Sequence, residues 1–346
     1  MLSTELLDDI DAQAEAAGYA FADTEAIAQA NPTSPEPTIF ALDLAQFSKR
    51  KFKPREPMLG PWLCSQDLGM VFAMRGLGKT HFALAVAFAV ASGGEFAKWK
   101  APKAQKVLYL DGELSGATMK QRLGMHCPDT APEPGYFRVF SPDLMPDGVA
   151  LPDISTFAGQ RQIDALIEPD TALIVIDNLS CWARTGRENE SESWNDIAQW
   201  LLRLRRAGHA VLFVHHAGKN GGQRGASKRE DIIDFSIELR HSKDYQPEQG
   251  ACFELVFSKA RHLKDKESEA LAFTLETKQD ADGNDISCGW KWDTLDQTTF
   301  NKVVQLANDG RTQTEIAAEL ELNKSTVSRH FSKAKGLRLI DGKAAK

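Results

Sequence analysis

The sequence predicts an α/β fold: a mainly parallel sheet covered by helices on both faces, antiparallel hairpins at one edge, and a small all-α domain at the C-terminal end. Three observations carry this. Short apolar runs at 70–73, 107–110, 172–176 and 210–214 alternate with stretches of helical pattern, and strands alternating with helices imply parallel strands buried on both faces. From Phe235 to Trp292 the pattern changes to the apolar–polar alternation of antiparallel strands. From residue 297 onward apolar residues recur at helical spacing and the local charge turns basic.

The 346 residues suffice for one large domain and one small one. Apolar content of 42% and charged content of 26% are ordinary for a soluble globular chain. A net charge of −7 argues against binding nucleic acid through the whole chain, and leaves room for a local basic patch. Residues 1–36 carry eight acids and no Lys or Arg, whereas 297–346 carry nine basic residues against five acids. An acidic head and a basic tail suggest different partners. Five widely spaced cysteines without a Cys-x-x-Cys pair predict reduced cytosolic thiols and no zinc site. The start lacks a basic-then-apolar signal pattern. The longest apolar run, 82–91, is too short to cross a bilayer. The expectation is a cytoplasmic protein with no membrane partner.

In chain order, Leu2, Leu6, Ile10 and Ala17 stand at helical spacing in an acidic arm, either solvated or docked on a neighbouring subunit. Pro32, Pro35 and Pro37 make an extended linker at its end. The boundaries drawn are an arm at 1–36, a large domain at 37–296 and a small one at 297–346. Trp62 and Leu63 suit either a nucleotide base or the core. Residues 69–80 then read as strand, glycine loop and helix: Met70 to Ala73 are apolar, Arg75, Gly76, Leu77, Gly78, Lys79 and Thr80 form the loop, and an apolar helix follows from His81. This is a P-loop pattern with Ala73 where the first glycine usually stands. Its backbone N–H groups and helix N-terminus suit a triphosphate. The expected ligands are ATP, held by residues 75–81, and Mg²⁺, held by Thr80 and Asp177.

Four candidate catalytic residues fall at or just past strand carboxyl ends: Lys79, Glu113, Asp177 and His216. Ligands of open α/β sheets bind there. Glu113 is preferred over Asp111 as the base that activates water. Neighbours on a strand face opposite ways, so His215 and His216 do not share a metal; one is read as a γ-phosphate donor and the other as core.

Together Arg75-Gly-Leu-Gly-Lys-Thr80, Leu110-Asp-Gly-Glu113, Ile174-Val-Ile-Asp177, Phe213-Val-His-His216, Arg224-Gly-Ala-Ser227 and Ser258-Lys-Ala-Arg261 resemble the RecA-like ATPases related to the plasmid hexameric helicase RepA, and more distantly the DnaB-type helicases, over about residues 55–275. The resemblance implies a RecA-like P-loop core and a homo-hexameric ring. ATP would lie between subunits and single-stranded DNA would pass through the centre. It implies Glu113 as catalytic base, His216 as γ-phosphate sensor and a DNA-facing loop with Arg224, Lys228 and Arg229. A cation would reach the neighbour's site: Arg261 first, then Lys259, then Arg224. The chain departs from the plasmid helicases near Asp234, where an acidic or apolar residue stands in place of their finger.

At the C-terminal end Ile316, Ala317, Leu322 and Val327 have the spacing of a helix-turn-helix, with Thr312 as a cap and 336–340 opening a wing. The third helix would present Ser325, Thr326, Ser328 and Arg329 to a DNA major groove. The function expected is a ring-forming, ATP-hydrolysing DNA motor of plasmid or phage replicative type. The alternatives are an ATP-gated regulator or initiator acting through the helix-turn-helix, and a filament-forming recombination mediator.

Overall fold

The structure is a computed structural model that describes residues 40–126, 131–184, 191–217, 230–242, 245–246, 250–264, 266–283 and 285–340. The acidic arm, Cys127, Arg224, Lys228 and Arg229 lie outside the described residues.

The elements run α1 (Leu44–Lys49), β1 (Leu68–Ala73), α2 (Lys79–Ser92), β2 (Lys106–Asp111), α3 (Gly116–His126), β3 (Phe137–Phe140), α4 (Phe157–Asp164), β4 (Thr171–Asp177), α5 (Leu179–Trp182), α6 (Ser191–Ala207), β5 (Ala210–His216), β6 (Phe235–Arg240), β7 (Cys252–Ala260), β8 (Leu271–Gln279), β9 (Asp285–Thr294), α7 (Leu295–Asn308), α8 (Gln313–Glu319) and α9 (Lys324–Gly336). Two short hairpins, Pro57–Leu59 with Leu63–Cys64 and Glu95–Phe96 with Trp99–Lys100, flank α2 in sequence.

Among the described residues one nine-stranded sheet has the order β9-β8-β7-β6-β1-β5-β4-β2-β3. From β6 to β3 all pairings are parallel, and β7, β8 and β9 add antiparallel strands at the β6 edge. The expected fold is the fold observed. One assignment changes: Phe235–Arg240, expected among the antiparallel strands, runs parallel to β1 on one side and antiparallel to β7 on the other. Ile237 and Leu239 are fully buried there, so the alternating pattern marks a strand at the junction of the two kinds of pairing.

Strand alternation sorts the core into two layers. Val71, Val107, Tyr109, Leu173, Val175, Leu212 and Val214 pack under α2. Met70, Phe72, Leu108, Ile174, Ile176, Val211 and Phe213 pack against the other face, with Trp194, Ile197, Trp200, Leu201 and Leu204 of α6. Helix α2 is buried on nearly all sides, as its continuous apolar run requires. Trp62 is fully buried against Trp99, Phe235 and Phe257, so of its two readings the core one holds.

Asp234 has a structural task. It is buried, accepts the Leu68 N–H at 2.9 Å and pairs with Arg205 of α6, tying the start of β1 to that helix. The C-terminal helices enclose their own core of Phe300, Val303, Ile316, Val327 and Phe331. No linker precedes them: Thr294 ends β9 and caps α7 through the Gln297 N–H at 3.1 Å. The expected wing does not form among the described residues, where 337 and 338 make a turn with Arg338 at φ 57°.

At the centre of the sheet the Phe235 ring lies across Gly69, its register partner, and a Cβ built there would stand 1.9 Å from the ring. Gly69→Ala is expected to lower stability by about 1–3 kcal/mol, read from urea unfolding. A change below about 0.5 kcal/mol would show that the ring has room to move.

Candidate functional site

The carboxyl ends of β1, β5, β4 and β2 stand side by side. Strand parity decides which side chains there face α2. Asp177 shares the parity of Leu173 and Val175, His216 that of Leu212 and Val214, and Asp111 that of Val107 and Tyr109, so all three turn toward the layer that holds Lys79. His215, of opposite parity, is buried.

The loop between β1 and α2 turns on two glycines. Gly76 has φ 81° and Gly78 φ 91°, a left-handed backbone that glycine adopts without Cβ strain. A Cβ on Gly78 would also stand 2.7 Å from Cβ of Ala251. Ala73, at the position of the usual first glycine, is still part of β1 and needs no such freedom. Its carbonyl accepts the Lys79 ammonium at 3.0 Å, and the Met74 carbonyl accepts it at 2.6 Å. Burial lowers the Lys79 ammonium to about 8, against the pull of Asp177 and Glu113.

Asp177 is 3% exposed. Burial pushes its carboxyl up, while hydrogen bonds from the Tyr109 and Thr80 hydroxyls oppose the rise. The Tyr109 bond measures 2.7 Å. The sequence reading overlooked Tyr109; its signal was a phenol in an otherwise apolar strand, two residues before Asp111 and so on the same face.

The two rival carboxylates differ sharply. Asp111 is 0% exposed and accepts the backbone N–H groups of Glu113 and Leu114, each at 3.2 Å, so it caps the turn after β2. Burial raises it to about 6. The Glu113 side chain is 55% exposed, accepts the Asn178 side-chain amide, and lies 3.7 Å from Nε2 of His216. Asn178, also absent from the sequence reading, follows Asp177 directly. His81 shares the first turn of α2, but its Nδ1 faces Nε2 of His126 at 3.0 Å.

Lys259 and Arg261 sit elsewhere. They bond the carbonyls of Glu230 and Asp231, beside the first residues of β6 and β1. That is the sheet end opposite the P-loop, on the order of 15 Å away. Neither can reach the phosphate loop of its own subunit.

On α9, Lys324, Ser325, Ser328 and Arg329 are exposed and Thr326 is half-buried. Asn323 caps the helix by accepting the Thr326 N–H at 2.8 Å. Arg329 is paired with Asp296 of α7 at 2.9 Å.

A model of the AAA domain family matches residues 33–222. A model described as bacterial regulatory protein, arsR family, matches residues 303–341. Among solved structures, the crystal structure of the RadB recombinase is similar with a TM-score of 0.42 and 17% identity, covering 61% of this chain and 87% of that chain. No protein of curated function matches the chain. No helix among the described residues is long and apolar enough to cross a membrane.

Asp111 supplies a test of the turn. Its folded pKa, about 6, is raised above the ordinary 3.8. The folded state therefore binds the proton more tightly, and the stability this gives at low pH is lost as pH rises through about 6. Asp111→Asn keeps an acceptor for the cap and removes the charge. Its stability is expected to lose this pH dependence between about 4 and 6, measured by chemical unfolding across that range. An unchanged pH profile would show that Asp111 does not titrate there.

Proposed function

The chain belongs to the AAA domain family, and from that premise we propose that it is a ring-forming, ATP-hydrolysing DNA motor of the kind that separates strands in plasmid or phage replication. The coarser description, a P-loop ATPase with a C-terminal helix-turn-helix, is the ground for it. The observation that carries the reading is the assembly of Lys79, Thr80, Asp177, Glu113 and His216 at one end of the sheet.

The residues present fit magnesium and a triphosphate. A buried carboxylate hydrogen-bonded to the Thr80 hydroxyl, beside a buried ammonium at the start of a 14-residue helix, is a donor set for a hydrated hard cation and for phosphate oxygens. Residues 75–80 would cradle the phosphates, with Lys79 on the terminal ones. When bound, Mg²⁺ neutralises charge on the β- and γ-oxygens. Glu113 would take the proton of the attacking water, and Asn178 positions that carboxylate. His216, beside Glu113, would sense the terminal phosphate.

Arg261, with Lys259 and Arg224 behind it, would act on a neighbouring subunit. Its distance from its own P-loop supports a site completed between copies, most simply a hexameric ring. Arg224, Lys228 and Arg229 would line the DNA path, and α9 would meet duplex DNA through Ser325, Ser328 and Arg329, with Thr326 at the helix start. Arg329 must leave Asp296 to do so.

A second reading has its own observation. The C-terminal match bears the description of a bacterial regulatory protein, which favours an ATP-gated regulator or initiator that binds a DNA site without unwinding it.

The test is ATPase rate with and without single-stranded DNA, together with mass determination in nucleotide and strand separation on a forked duplex. The motor predicts a DNA-stimulated rate, an oligomer and separated strands. ATPase without stimulation or separation, with a footprint lost on deleting 297–346, would replace the motor with the regulator. Arg261→Ala is expected to lower kcat by about three orders of magnitude while nucleotide binding persists; an unchanged kcat would exclude it as the finger.

A further inference from the structure

We propose that His81, His126 and Cys288 form a binding site for a zinc-class divalent cation that staples the first turn of the P-loop helix to α3 and to the hairpin strand β9. The donor atoms of the three side chains all lie within 4.8 Å of one another. They come from three elements: His81 from α2, His126 from the last turn of α3, and Cys288 from the middle of β9.

Two imidazoles and one thiol make a borderline-to-soft set that suits Zn²⁺ and excludes Mg²⁺ or Ca²⁺. Zinc bonds of about 2.0–2.3 Å place tetrahedral ligand atoms roughly 3.3–3.7 Å apart. The observed spacing, 3.0 Å between Nδ1 of His81 and Nε2 of His126 and up to 4.8 Å over the cluster, needs only side-chain adjustment. Three protein ligands leave a fourth position for water.

The surroundings hold the donors in place. The His126 ring stacks on Phe88 of α2 at 6.2 Å and 22°. The sulfur–metal bond forms as the thiol proton leaves for water. Two charges face the cluster: the Asp285 carboxylate acts on His81 and Cys288, and the Arg122 guanidinium on both imidazoles. The rival cluster of Cys64, Asp67 and His262 is set aside because Asp67 already pairs with Arg55 and accepts the Cys64 N–H.

The position gives the cation a consequence. His81 follows Thr80 directly in α2, so occupancy would fix the turn that carries Lys79 and Thr80 against the antiparallel edge. The site does not rest on the motor reading: the ring of His81, a residue expected beside the nucleotide, turns to His126 instead, and His126 and Cys288 lie outside the phosphate loop and the catalytic set.

The probe is Co²⁺ added to the chelator-treated full chain, followed by Zn²⁺ competition. Expected are one equivalent per chain, thiolate-to-cobalt absorption in the near ultraviolet, displacement by Zn²⁺ and a higher Tm with metal. Cys288→Ser should abolish the absorption, and His126→Gln should weaken binding at least about tenfold; Cys252→Ser should change neither. Absence of that absorption in the wild-type chain, or its persistence in Cys288→Ser, would overturn the site. Should Cys288→Ser fail to fold, the equivalents bound by His126→Gln decide: unaltered binding there also overturns it.

Discussion

One buried carboxylate sets the terms for the rest of the molecule. Asp177 ends a strand buried on both faces and is itself almost wholly removed from water. A lone buried charge of that kind is costly unless hydrogen bonds replace its hydration. Tyr109 supplies one from the adjacent strand and Thr80 another from the P-loop helix. The two hydroxyls join the adjacent strand and the P-loop helix to one carboxylate. Lys79, Glu113 and His216 take their places relative to that anchor. The same low-polarity setting that makes the carboxylate expensive also strengthens every charge interaction around it.

Much of this was legible in the sequence because it depends on local rules. Alternating apolar runs gave the parallel core, and strand parity separated His216 from His215. Gly78-Lys-Thr80 between an apolar strand and an apolar helix located the loop. Other features depended on contacts that no local pattern carries. Phe235–Arg240 reads as one more alternating strand, and only the register shows it paired in parallel with β1. Asp234 looked like an anomaly; its burial and the Arg205 pair explain why an acid stands there. What distinguishes Asp111 from Glu113 is a cap geometry visible only in three dimensions: Asp111 accepts the Glu113 and Leu114 N–H groups. The donor atoms of residues 81, 126 and 288 lie together although the residues are far apart in the chain, so no rule based on cysteine spacing brings them into view.

The junction between the two parts of the chain has a physical meaning of its own. Helix α7 begins where β9 stops, and the Leu295 N–H bonds the Ala270 carbonyl at 3.0 Å. The helix-turn-helix is thereby mounted on the antiparallel edge rather than tethered by a flexible chain. That edge also contributes Phe253 and Phe273 to the layer under α2.

The proposed function gives Asp177, Lys79 and Glu113 separable roles, two in holding triphosphate and one in activating water. The most direct measurement is equilibrium binding of Mg-ATP, set beside turnover, for Lys79→Ala and Glu113→Gln. Lys79→Ala is expected to lose binding and turnover together. Glu113→Gln is expected to bind near the wild-type affinity and to lose hydrolysis by at least about a hundredfold. Wild-type turnover in Glu113→Gln, or full affinity and full turnover in Lys79→Ala, would contradict these roles.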